Sequence, residues 1–178
     1  MIPTIAQQLN SLKLRMEETI IPEIPQESKF AREQARFIVT ALEWLLDTHQ
    51  HEYRYEVVEN VEYRKLLGSV LDESTGCQVD DEHRQAVLEV LEARGPGANE
   101  AVTPVDAIRS QNREMKALAA DIYRSLSARH GVPENPARPF MEQVARSQVR
   151  RELAFFKKTG WVDTPDALGE VLGQSAPV

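Results

Sequence analysis

Apolar residues at helical spacing dominate this chain. One run reads Ile5, Leu9, Leu12, Met16 and Ile20, and another reads Ile108, Met115, Ala119, Ile122 and Leu126. Each helical residue turns the chain by about 100°, so steps of three and four gather such side chains on one face. Six stretches behave this way, and no segment shows the sustained alternation of a strand. The expected fold is therefore all-α: a single-domain bundle of about six helices plus a short C-terminal helix over 1–173, with 174–178 a loose tail.

Local signals punctuate the stripes. Thr4, with Gln7 three residues on, forms a capping box for the first helix, and Pro22 and Pro25 end it near Ile21. Its Leu9, Leu12 and Met16 are expected in the core. The second helix runs from about Gln26–Ser28 to about Thr48, with Phe30, Phe37, Ile38, Ala41 and Leu45 as its buried face and Trp44 beside it. The polar DTHQHEYRYE stretch is either a turn or a continuation of that helix. A third helix carries Val57, Val58, Val61, Leu66, Leu67, Val70 and Leu71. Asp80 or Asp81 caps a short helix with Val87, Leu88 and Leu91, closed by Gly95. GPGANEAV is a loop. Thr103 then caps a helix that has Pro104 at its first position and ends at Gly131. Pro139 opens the sixth helix, with Met141, Val144, Ala145, Val149, Phe155 and Phe156 inward and Gly160 at its end. Asp163-Thr164-Pro165 caps the last short helix.

Bulk properties exclude several classes. A net charge of -7 argues against a duplex-DNA binder, which needs cations against phosphates. No apolar run is long enough for a membrane span. The N-terminus lacks a secretory pattern, and the single Cys77 cannot close an internal disulfide. The expectation is a cytoplasmic protein with neither nucleic acid nor membrane as partner.

No motif for chemistry is complete. His49 and His51, two apart on a helix, diverge and cannot chelate one ion. Asp80-x-x-His83 matches half of a di-iron site, but the second copy is missing and Asp80 reads as a cap. Cys77 has no diagnostic histidine, and the GPG at Gly95 lacks the lysine of a phosphate loop. Neither a metal nor a cofactor is expected. Arg146, Arg150, Arg151, Lys157 and Lys158 read as a solvated face. Polar residues inside apolar stripes are sharper: Gln34, Asn112, Gln148 and Glu152. If their helices converged, they would put an ionisable Glu beside amides in an apolar pocket. The plainer alternative is that these groups bond one another or lie at a stripe's edge near water.

The segments FAREQARFIVTALEWLLD, EYRKLLGSVL and VRRELAFFKKTGW resemble a family of small helical bacterial proteins of unassigned activity. Its members are often encoded beside aminoglycoside-phosphotransferase-like kinases and acyl-CoA dehydrogenases. The similarity lies at Phe30, Arg32, Ala35 and Leu42, at Leu66, Leu67 and Gly68, and at Leu153. It implies a cytosolic bundle working near acyl-CoA or phosphoryl-transfer enzymes, and no mechanism.

The functional expectation is a non-catalytic accessory or protein-interaction module, with an exposed apolar patch or dimer face around Trp44, Trp161 and Phe156, and with a protein partner or a second copy as its ligand. The alternative is a small enzyme or small-molecule binder with a pocket lined by Gln34, Asn112, Gln148 and Glu152, and Glu152 as the candidate catalytic group.

Overall fold

Helices form the ordered backbone of the computed structural model, which describes residues 2–93, 95–96, 103–160 and 162–174, and no strand occurs among them. The fold is all-α. Trp161, most of the GPGANEAV loop and the tail 175–178 lie outside the described residues. By its contacts the chain forms two compact units, Met1–Glu52 with Glu152–Gly169, and Tyr53–Arg151 with Glu170–Val178.

The first unit begins with α1 (Ile5–Arg15). Its capping box is as expected: Gln7 N donates to Thr4 Oγ1 at 3.2 Å, and Thr4 N donates to Gln7 Oε1 at 2.8 Å. The helical path does not stop before Pro22. It widens into one π-turn, Met16–Ile20, and then forms α2 (Ile21–Glu23), where Pro22 sits in the first turn. A proline lacks an N–H and clashes with the carbonyl four residues back. The i→i+5 turn, closed by Ile21 N donating to Met16 O, removes that conflict.

α3 (Lys29–Thr48) packs against α1 and against a 3₁₀ turn, Lys157–Thr159. It is apolar on two sides. Ala35 is buried, and Val39, Leu42 and Leu46 are half-buried on the same side. The other side, expected to be the core face, is in water: Phe30 is 73% exposed and Phe37 52%, and Ile38, Ala41 and Leu45 are exposed too. Of the core residues expected from the first helix, Leu9 and Met16 are half-buried and Leu12 is not buried. The helix buries no residue fully, and Leu12 is 52% exposed.

The second unit holds α4 (Glu52–Leu71), α5 (Asp81–Glu92), α6 (Val105–His130) and most of α7 (Arg138–Phe156); α8 (Leu168–Gln174) straddles the boundary. Of the ambiguous polar stretch, only residues 49–51 form a turn; its first two residues end α3 and the rest begin α4. The stripe of α6 is buried as its spacing predicts, through Ile108, Asn112, Met115, Ala119, Ile122 and Leu126. Its Met115, Ala119, Ile122 and Leu126 make the main core with Leu66, Leu67, Val70, Val87 and Val144, where each large aliphatic side chain contributes about 1.5–3 kcal/mol.

Asp80 caps α5, accepting from His83 N at 3.0 Å. At α6 the cap position is Pro104 rather than Thr103, and no side chain caps it. Gly131 ends α6 at a φ of 80°, a value open to glycine. Buried Asn135 ties the following connector down. It donates to Tyr123 O at 2.9 Å and Ser127 Oγ at 2.7 Å, and accepts from Ala137 N.

The inward face of α7 differs from the expected one. Val144 is buried as expected, but with Arg151 and Ala154, while Ala145, Val149, Glu152 and Phe156 are exposed. The stripe is displaced by one residue, about 100° of turn. α8 starts at Leu168, later than the Asp163-Thr164-Pro165 signal implies.

Candidate interaction site

The outer face of α3 and the chain just past α7 enclose an apolar groove of about 480 Å³ within the first unit. Phe37, Ala41, Trp44, Phe156 and Val162 supply its apolar walls, Thr40 and Thr159 its hydroxyls, and no charged residue lines it among those described. Trp44 is fixed in place. Its indole Nε1 donates to Phe155 O at 2.8 Å. Its ring stacks on Phe156, with centroids 6.0 Å apart and planes 9° from parallel, and meets Phe155 edge-on at 5.4 Å. Both arrangements suit aromatic quadrupoles. With its polar group satisfied, what Trp44 offers outward is apolar ring. Thr159 Oγ1 donates to Phe156 O at 2.6 Å, so that hydroxyl is also engaged.

The four polar residues singled out by the sequence fall in different settings. Gln34 and Glu152 are exposed residues of the first unit. Asn112 is buried in the second unit, and Gln148 is half-buried there, accepting from Tyr63 Oη at 3.2 Å. None of the four lines any of the three cavities described. The expectation that Glu152 is buried is thus corrected: the inward ionisable residue of α7 is its neighbour Arg151, which is fully buried.

Asn112 belongs to a network between α4 and α6. It accepts from Asn60 Nδ2 at 2.9 Å and donates to Glu56 Oε2 at 2.9 Å. Arg109 Nε donates to the other Glu56 oxygen at 2.9 Å. Lys116 pairs with the buried Glu59 at 2.8 Å. Arg64 donates to Asn60 and to the carbonyls of Leu91 and Ala93, closing the C-terminal end of α5. Burial lowers the Arg64 pKa, since desolvation disfavours its charged form.

A second cluster lies between α4 and α7. Ser147 Oγ donates to Glu62 Oε1 at 2.6 Å, and Arg151 Nη1 donates to Glu62 Oε2 and to Ser147 Oγ. The guanidinium carbon stands 5.8 Å from the Tyr55 ring centroid, within cation–π range. Arg151 Nε and Nη2 have no hydrogen-bond partner among the described residues. Glu62 and Ser147 also line a cavity of about 390 Å³ with Lys65, Ser69 and Gln143. Both oxygens of Glu62 accept hydrogen bonds, so it anchors the clamp that holds the buried Arg151.

The remaining candidates have local roles. His83 Nδ1 lies 2.7 Å from Asp80 Oδ1. The Asp80 carboxyl is held below its ordinary pKa, first by the His83 backbone N–H and then by the His83 side chain. The ring of His49 sits against the carbonyls of Leu45 and Leu46. Cys77 is buried. Among the described residues no three His, Cys, Asp or Glu side chains group as metal ligands, and no helix is long and apolar enough to cross a membrane. Comparison with models of known families, with curated proteins and with solved structures found no match to this chain.

Sequence reasoning missed Glu62, Arg64 and Arg151. For Arg151 a signal existed. It follows Val144 by seven residues and precedes Ala154 by three, so it falls on their stripe.

Proposed function

We propose that the protein is a non-catalytic interaction module whose working surface is the outer face of α3 with the Trp44–Phe156 groove. One observation carries this reading. The strongest apolar stripe of the first unit stands in water although α3 has a second apolar side to bury. A contiguous apolar patch of this kind marks a binding surface on a soluble protein. The described polar clusters, by contrast, are spent on internal hydrogen bonds. Their arrangement supports a structural role and no assembled reaction centre.

The test compares a face variant with a core variant at low protein concentration. Phe37→Glu is expected to keep the helical circular dichroism and the melting temperature while abolishing binding of an environment-sensitive apolar dye by the native protein. Leu67→Ala, at a buried position, is expected to lower the melting temperature instead. A native protein that binds no dye, with Phe37→Glu destabilised like a core variant, would show that the face is used in folding and overturn the proposal.

A further inference from the structure

We infer that the partner of this face is a second copy of the chain, docked through α3 in antiparallel, two-fold arrangement; this rests on the interaction-module reading above. Three observations point to self-association. The first is area. Phe30, Phe37, Ile38, Leu45 and Phe156 together leave on the order of 500 Å² of apolar side chain exposed. A standard interface buries about 800 Å² per partner, about two thirds of it apolar in homodimers. One copy therefore presents what one half of a stable dimer requires.

The second observation is charge. The N-terminal half of α3 holds Lys29, Arg32 and Arg36 against Glu33, and the C-terminal half holds Glu43 and Asp47 with no Lys or Arg. Arg32 and Glu43 turn to other partners, Ile24 O and Lys13. Lys29, Glu33, Arg36 and Asp47 remain, and of these Lys29, Arg36 and the half-buried Asp47 lie on one flank of the apolar face. An antiparallel copy sets Lys29 beside the copy's Asp47, twice by symmetry, whereas a parallel one leaves the two at opposite ends of the interface.

The third is shape. Phe30 is the most exposed apolar side chain of α3, and Trp44, which walls the far end of the groove, lies fourteen residues further on, about 21 Å along the helix. A two-fold axis passing near Phe37 and Ile38 exchanges these positions. The Phe30 ring of each copy then meets the Trp44 groove of the other, and Gln34 meets the small Ala41. The same axis aligns Lys29 with Asp47, so the apolar and the charged pairings share one register.

Sedimentation equilibrium of the full chain, from micromolar to several hundred micromolar, tests this. A reversible dimer is expected. Phe30→Ala and Phe37→Glu should each weaken it about ten-fold or more, as loss of a central aromatic anchor does, with circular dichroism unchanged. Lys29→Glu and Asp47→Lys should each weaken it, and the double variant should restore it, because the swapped charges again oppose. A monomer throughout the range overturns the inference, as does a dimer indifferent to Phe37→Glu, or single charge reversals that the double variant fails to rescue. A monomer that still binds the apolar dye through this face would leave the interaction-module reading standing with a different protein as partner.

Discussion

Among single residues, Arg151 departs furthest from its sequence appearance. It stands in a run of cations that reads as a solvated face, yet its side chain is wholly buried against Glu62, Ser147 and Tyr55. Burying a charge is costly unless a partner is brought with it. That partner is far away in sequence, which is why no local pattern announces the pair. Asn112 is the opposite case: it sits in a clean apolar stripe, so its burial is legible, though Glu56 and Asn60 as its partners are not. Arg151→Met should cost about 3 kcal/mol in denaturant unfolding, because it strands the Glu62 carboxylate. Adding Glu62→Gln should recover much of that loss. A single variant as stable as the parent would show that the pair contributes nothing.

At the level of elements, caps and breakers were the most legible features: Thr4 with Gln7, Asp80, and Gly131 all act where the sequence puts them. They are read within a few residues of chain. Which apolar side of a helix is buried is not read that way. α3 offers two, and only the packing of α1 selects Ala35, Val39, Leu42 and Leu46 over the Phe37 side. On the same ground Leu12→Ala in α1 should change stability far less than the roughly 2–5 kcal/mol expected for a fully buried leucine such as Leu67. Equal losses in paired melting curves would restore α1 to the core. The α5 cap has a pH signature. Asp80 has a depressed pKa when folded, so its stabilisation is present above the normal carboxylate range and is lost as pH falls through the folded-state value. Asp80→Asn, which keeps a capping oxygen without the charge, should be less stable than the parent at neutral pH, with the gap closing in acid. A gap that is constant with pH would mean the charge is irrelevant to the cap.

Over the whole molecule, apolar burial is divided unequally between the two units. The second holds nearly all of the fully buried large side chains, among them Leu67, Ile108, Met115, Ile122 and Leu126. In the first unit the fully buried residues among those described are few, Ala35, Thr48, Ala154 and Leu168, while its other large apolar side chains are half-buried or, like Phe30 and Phe37, exposed. Opening free energies follow buried apolar contact, so the two units should not exchange amide hydrogens alike. In native-state hydrogen exchange at concentrations too low for self-association, amides of α6 around Met115 and Ile122 should be the slowest. Those of α1 and of α3 around Phe37 should open at much lower free energy. Raising the protein concentration should then slow α3 selectively, because a ligand that binds only the folded form adds its own free energy to the site it covers. Uniform protection across α1, α3 and α6 in dilute solution would contradict this division of stability. Selective slowing of α3 at high concentration would tie its exposed face to binding, by a measurement independent of any substitution.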